Sequence, residues 1–276
     1  MLDFVYYPVS AVLWLWHTGF AALFGAASGL SWTLAIVMLV VTLRLALYRP
    51  FLAQVRFSRT MAVLQPEIRR LREECGDDRE KLALETRKLQ QQHNFSVLSG
   101  CLPIFAQTLM FLGLYHVLRS FDRTGAASHI PFLGGSNPLT PEQNATTANY
   151  VFSPDLVQSF LHADVFGAPL SATLATAPAT VAVVAIPLMV IAAIATHCTA
   201  RASITRQTDT SAQTRLINAM TMWLFPLGTL VAGLVMPIGI LVYFATSNTW
   251  TFAQQYVVHR RLGPVGTVAS ATLPPL

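Results

Sequence analysis

The sequence predicts an all-α, polytopic membrane protein with five transmembrane helices, a cytoplasmic helical hairpin and an N-terminal interfacial helix. Of its 276 residues, 53% are apolar and only 11% are charged, too few charges to clothe a water-soluble globule of this length. Five apolar runs, at 31–48, 97–118, 178–198, 216–235 and 238–258, reach about the 20 residues that a helix needs to cross a bilayer. The basic residues fall in blocks between these runs instead of being spread evenly.

Taken in order, residues 1–30 are expected to form an amphipathic helix lying in the outer interface. Val9, Val12, Leu13, Trp16, Phe20 and Leu23 recur at helical spacing, and Trp14, Trp16 and His17 suit the headgroup region. A span over 6–25 is the alternative, and it would put the N-terminus inside. Asp3 is the only charge before Arg44, so no cleavable secretory signal is expected. The first span follows at 31–49.

Residues 50–96 are polar and read as a cytoplasmic helical hairpin. Leu64, Ile68, Leu71 and Cys75 make one apolar stripe, Gly76 can end that helix, and Asp77 or Asp78 can cap a second one running to about His93. Arg69 with Glu73, Arg70 with Glu74 and Asp77 with Lys81 stand at ion-pair spacing on the helix surface. The thin stripe predicts a solvated, mobile hairpin.

The second span is 97–119. The outer loop at 120–177 is rich in Gly, Pro, Ser, Thr and Asn, with one short helix expected near 155–166. Its sequon Asn144-Ala145-Thr146 reads as chance. The third span at 178–198, a cytoplasmic loop at 199–215, the fourth span at 216–236, the fifth at 237–258 and a tail at 259–276 complete the chain.

Lys and Arg are retained on the cytoplasmic side of a membrane. Arg49, Arg56, Arg59, Arg69, Arg70, Arg72, Arg79, Lys81, Arg87 and Lys88 follow the first span; Arg201, Arg206 and Arg215 follow the third; Arg260 and Arg261 follow the fifth. The segment between spans two and three holds only Arg119 and Arg123, beside Asp122, Glu142, Asp155 and Asp164. Five spans with the N-terminus outside and the C-terminus in the cytoplasm satisfy every group at once.

Arg44 lies inside an otherwise uncharged apolar run. At mid-membrane an arginine costs about 2.5 to 3.5 kcal/mol and usually faces a protein interior or a watery cavity. Snorkelling to the nearby cytoplasmic surface is the alternative. Side chains lean toward a helix's N-terminus, and this span runs outside to inside, so Arg44 leans into the bilayer and a cavity is favoured. Gln107 and Thr108 in the second span are candidate lining.

The fifth span adds Ser247, Asn248, Thr251 and Gln255 on one helical face, with Thr246, Thr249 and Gln254 nearby. Such residues can hydrate a groove or bond between helices, and their spacing alone leaves both open. No membrane-embedded Asp or Glu is available to pair with Arg44, which leaves water or a visiting ligand.

The chain has no H-E-x-x-H, G-x-S-x-G or P-loop string, and its seven histidines are scattered. Catalytic work and metal sites are not expected. Cys75, Cys101 and Cys198 imply no disulfide framework.

Three strings carry a resemblance: "VTLRLALYRPFLAQVRFSRTMAVLQPEIRRL", "LQQQHNFSVLSGCLPIFAQ" and "PIGILVYFATSNTWTFAQQY". Together they resemble the YidC/Oxa/Alb family of membrane-protein insertases over nearly the whole chain. "FVYYPVS", "LYHVLRSF" and "FGAPL" make it most similar to the actinobacterial YidC branch. The resemblance implies a five-span core around a hydrophilic groove that opens to cytoplasm and lipid and is sealed outside, in a bacterial plasma membrane. It carries an intramembrane arginine onto Arg44 and a polar glutamine onto Gln107.

It further implies a hairpin that receives substrates, and nascent single-span or small membrane proteins and the lipid bilayer as partners. Neither a cofactor nor sequence-specific nucleic-acid binding is implied. Whether the Sec translocon and ribosome take part stays open, and the short, weakly basic tail argues against a strong tail-mediated ribosome contact. The outer domain and extra first span of Gram-negative relatives are not expected here. The rival readings are a small-anion transporter or channel using Arg44 and an assembly factor that holds helices without moving them.

Overall fold

The computed structural model describes residues 2–76, 78–92, 97–124, 139–174, 178–205 and 212–262. The expectations for Asp77, His93, His129, Arg206 and residues 263–276 of the tail lie outside them. The described chain is mostly helical, with α1 (Asp3–Phe24), α2 (Gly29–Ala46), α3 (Tyr48–Cys75), α4 (Arg79–Gln92), α5 (Val97–Arg119), α6 (Pro141–Thr146) and α7 (Pro154–His162). The strands β1 (Asp164–Val165) and β2 (Ala168–Pro169) follow, then α8 (Pro178–Ile204), α9 (Ala212–Gly233) and α10 (Ile238–Leu262).

Among the described residues, three helices are long and apolar enough to cross a membrane: Gly29–Ala46, Ala179–Ile204 and Gln213–Gly233. The last is almost wholly unburied, with Leu216, Ile217, Trp223, Phe225, Leu227 and Val231 all exposed. In water such a face would be an aggregation patch; in hydrocarbon it is the ordinary surface of a span. This is an all-α membrane protein.

The bundle has two ends. At the loop end, α2 buries Trp32, Ala35, Ile36, Leu39 and Val40 at helical spacing, and the first turns of α10 bury Ile238, Ile240, Leu241, Val242 and Tyr243. Trp32 lies edge-on to Phe160 at 5.1 Å and to Phe121 at 5.5 Å, and its ring stacks on His17 at 3.7 Å. The short helix of the outer segment ends at His162, earlier than expected. Phe166 and Gly167, with φ of 53° and 78°, then make the tight turn of a β1–β2 hairpin.

The segment after β2 caps α10: the Ile238 and Gly239 N–H groups donate to the carbonyls of Ala172 and Leu170 at 3.1 and 2.9 Å. Gly29 lies so close under Asp164 that an added Cβ would collide with its carbonyl oxygen. Asn144 of the sequon is buried, its amide donating to the Phe121 carbonyl at 3.0 Å. It is therefore structural, consistent with a chance sequon.

At the arm end, α2 stops at Leu47 instead of running to Arg49. Pro50 has no N–H to return to Ala46, so the ladder breaks there and α3 begins anew with the proline in its first turn. α3 then runs 28 residues through Pro66 to Gly76, whose φ of 56° ends it. The Asp78 carboxylate accepts the Lys81 N–H at 3.0 Å and caps α4.

Of the predicted stripe, Leu64 is buried and Ile68, Leu71 and Cys75 are half-buried. Glu85 and Lys88 pair at 2.7 Å on the surface of α4, a contact worth only tenths of a kcal/mol. Most of the apolar stripe of α1 faces protein: Val9 and Leu13 are buried, Val12, Trp16 and Phe20 pack on the same core, and only Leu23 is exposed; His17, expected among the headgroups, is instead buried against Trp32. Phe4, Tyr7, Trp14 and Leu15 are left exposed, so the outward face of α1 is apolar as well.

Candidate functional site

Toward the arm end the packing opens into a cavity of about 470 Å³, lined from four helices. α2 and the residue after it supply Arg44 and Leu47; α3 supplies Phe51 and Gln54; α5 supplies Gln107, Thr108 and Phe111. α10 supplies Tyr243, Phe244, Ser247, Asn248, Thr251, Gln254 and Gln255. Residues four apart on a helix share a face, so Tyr243, Ser247, Thr251 and Gln255 form one continuous polar stripe down α10. Thr246 and Thr249 fall on the opposite face, in a second cleft with Ile191 and Trp250.

Arg44 reaches across to α10. Its Nη2 donates to Ser247 Oγ at 2.7 Å, to Thr251 Oγ1 at 2.8 Å and to the Ser247 carbonyl at 3.3 Å. These acceptors are neutral oxygens, so the guanidinium is held by dipoles. Its Nε is buried without a hydrogen-bond partner. The Thr251 hydroxyl in turn donates to the Ser247 carbonyl at 2.9 Å, which fixes the rotamer that receives Arg44.

Gln107 Nε2 donates to Tyr243 Oη at 3.3 Å, and the Phe111 ring stacks beside Tyr243 at 5.9 Å. Tyr243, Phe111 and Phe244 thus floor the cavity, and the aromatic core around Trp32 lies beyond them. Asn248 lines the cavity while its amide donates to the Phe244 carbonyl at 2.9 Å. Gln254 accepts from Trp250 Nε1 at 3.0 Å.

All seven residues singled out from the sequence, Arg44, Gln107, Thr108, Ser247, Asn248, Thr251 and Gln255, line this one cavity. Sequence reading missed the aromatic floor and Gln54. Tyr243 had a usable signal, since it stands one turn before Ser247 on the same face. Gln54 had none, being one more polar residue in a polar helix. Among the described residues, no three His, Cys, Asp or Glu side chains gather closely enough to hold a metal ion.

The model of the 60Kd inner membrane protein family matches residues 23–264, nearly the whole chain. The chain belongs to that family. Relatives named membrane protein insertase YidC include that of Mycolicibacterium paratuberculosis, 44% identical over 271 residues, 93% of this chain and 75% of the relative. The one from Mycobacterium tuberculosis is 44% identical over 93% of this chain and 72% of its own length. That of Streptomyces avermitilis is 32% identical over 98% and 61%. As a member of the 60Kd inner membrane protein family with helices apolar enough to span, the chain is a multi-pass protein of a bacterial membrane. The match takes in α2, α3, α5 and α10, the four helices that line the cavity.

Proposed function

We propose that this protein is a membrane protein insertase whose polar cavity carries short hydrophilic segments of substrate proteins partway across the bilayer while their apolar helices pass into lipid. One observation carries the reading: an arginine and eight Gln, Asn, Ser and Thr side chains from four helices converge on one cavity inside a membrane bundle. The names of its relatives favour the same function.

The mechanism is physical. Polar side chains set among the apolar walls of the cavity lower the cost of desolvating a substrate's polar segment. Arg44 offers an acidic segment a counter-charge, and that attraction strengthens as the effective dielectric falls below that of water. Burial of the substrate's apolar helix in lipid, at about 25 cal/mol per Å² of apolar area, drives the process forward without nucleotide or cofactor. The aromatic floor at Tyr243 and Phe111 limits how far the polar segment advances.

The reading includes five spans, α2, α5, α8, α9 and α10, with the N-terminus outside and the C-terminus in the cytoplasm. α10 carries more polar residues than the other four and supplies half of the cavity lining. In this orientation the basic arm of α3 and α4 is cytoplasmic, beside the cavity mouth, where it receives substrates. α1 lies at the outer surface. Arg119 and Arg123, the two basic residues of the segment on the other side, are tied to Tyr115 Oη at 3.1 Å and to the Ser120 carbonyl at 2.8 Å.

The test is insertion of one single-span substrate in acidic and neutralised versions. Arg44→Lys is expected to keep most activity. Arg44→Ala and Arg44→Glu are expected to lose it, most severely for the acidic version. Equal losses for both versions would mean that Arg44 holds the bundle together instead of guiding charge.

A further inference from the structure

Resting on the reading of Arg44 as the counter-charge for substrate carboxylates, we propose that Ser247 and Thr251 form a hydroxyl latch that competes with the substrate for Arg44. The latch keeps each carboxylate's stay short enough for release. A guanidinium grips a carboxylate at two points along only two edges. One edge presents Nε–H with an Nη2–H, and the other presents Nη1–H with the second Nη2–H. Both edges need a hydrogen of Nη2.

In the structure Nη2 is the nitrogen already engaged, by Ser247 Oγ at 2.7 Å and Thr251 Oγ1 at 2.8 Å, with the Ser247 carbonyl at 3.3 Å. An arriving carboxylate therefore meets Arg44 with its two-point edges half occupied. The Nε–H is buried and without a partner, so a carboxylate reaches it only when the side chain turns. The second bond forms only as a hydroxyl lets go.

Because the displaced hydroxyls stay on the same face of α10, they reclaim Nη2 when the segment moves on. A groove that must release every substrate gains from this, since a full bidentate grip inside a partly dry cavity would hold an acidic segment in place. Ser247 and Thr251 act through Arg44 and are positioning residues.

The experiment uses the full chain in liposomes and a single-span substrate with two aspartates in its translocated segment, or two asparagines at the same positions. A photo-reactive residue beside them reports how long the segment stays in contact with the insertase. Losing a hydroxyl through Ser247→Ala or Thr251→Val is expected to lengthen the acidic segment's stay by about fivefold, the worth of one hydrogen bond, and to slow its release. The asparagine version, which draws on the cavity walls but not on the Arg44 charge, should change far less, and Thr251→Ser, which keeps the hydroxyl, should restore the parent's difference between the two versions.

In an Arg44→Gln background the hydroxyl substitutions should have no further effect on the stay. A shorter or unchanged stay for the acidic version, or equal changes in both versions, overturns the latch while leaving the Arg44 reading in place. A parent protein that holds acidic and asparagine segments equally long overturns both.

Discussion

Asn144 and Arg44 are both polar side chains enclosed by the fold, and they are satisfied in opposite ways. Asn144 donates to the Phe121 carbonyl and accepts the Arg123 N–H, closing the turn after α5. Asn144→Ala should leave the buried Phe121 carbonyl and the partly buried Arg123 N–H unpaired and lower stability by about 1–3 kcal/mol, read as a fall in thermal unfolding temperature. An unchanged unfolding temperature would mean that water takes over both bonds. Arg44 has three acceptors on one nitrogen and a buried N–H with none.

Legibility follows the same division. Arg44, Gln107 and the Ser247 to Gln255 face were readable because polar groups are expensive in an apolar span and stand out against it. Phe111 does not stand out in an apolar span, and Tyr243 is marked only by its place one turn before Ser247. Asn144 looked like any loop asparagine because its burial depends on a turn more than 20 residues away.

At the level of elements, each of the five apolar runs overlaps a helix of 18 residues or more, and among the described residues three of these helices are long and apolar enough to cross a membrane. Their ends were set by local chemistry: Pro50 moved the α2–α3 break to Leu47, and Phe166 with Gly167 replaced the end of a helix by a hairpin. The stripe of α1 was legible, but its destination was not. An apolar face fits lipid and protein alike, and the choice rests on the partners α2 and α5 offer. The α3–α4 arm buries little beyond Val55 and Leu64. Removing residues 65–92 should therefore impair insertion of a single-span substrate while the rest of the bundle keeps its unfolding temperature. Insertion equal to that of the intact chain would reduce the arm to a topology signal.

For the whole molecule, the fold divides its labour along one axis. The loop end is closed by the Trp32 aromatic cluster and by the hairpin that caps α10 beside the N-terminus of α2; the arm end of the same helices carries the cavity. The proposed orientation makes the loop end external. Single cysteines at the exposed positions Glu142 and Ala148 should react with an impermeant reagent added outside, and one near Arg79 should not; the reverse pattern would invert the protein.

The central claim is that this chain moves membrane proteins into lipid through its cavity. The most direct measurement places the purified chain alone in liposomes and follows protease protection of a newly made single-span substrate. The account predicts protected substrate well above the level of empty liposomes, falling toward that level for an acidic substrate when Arg44 is changed to Glu. Protection no greater than in empty liposomes, with the chain folded, would contradict it.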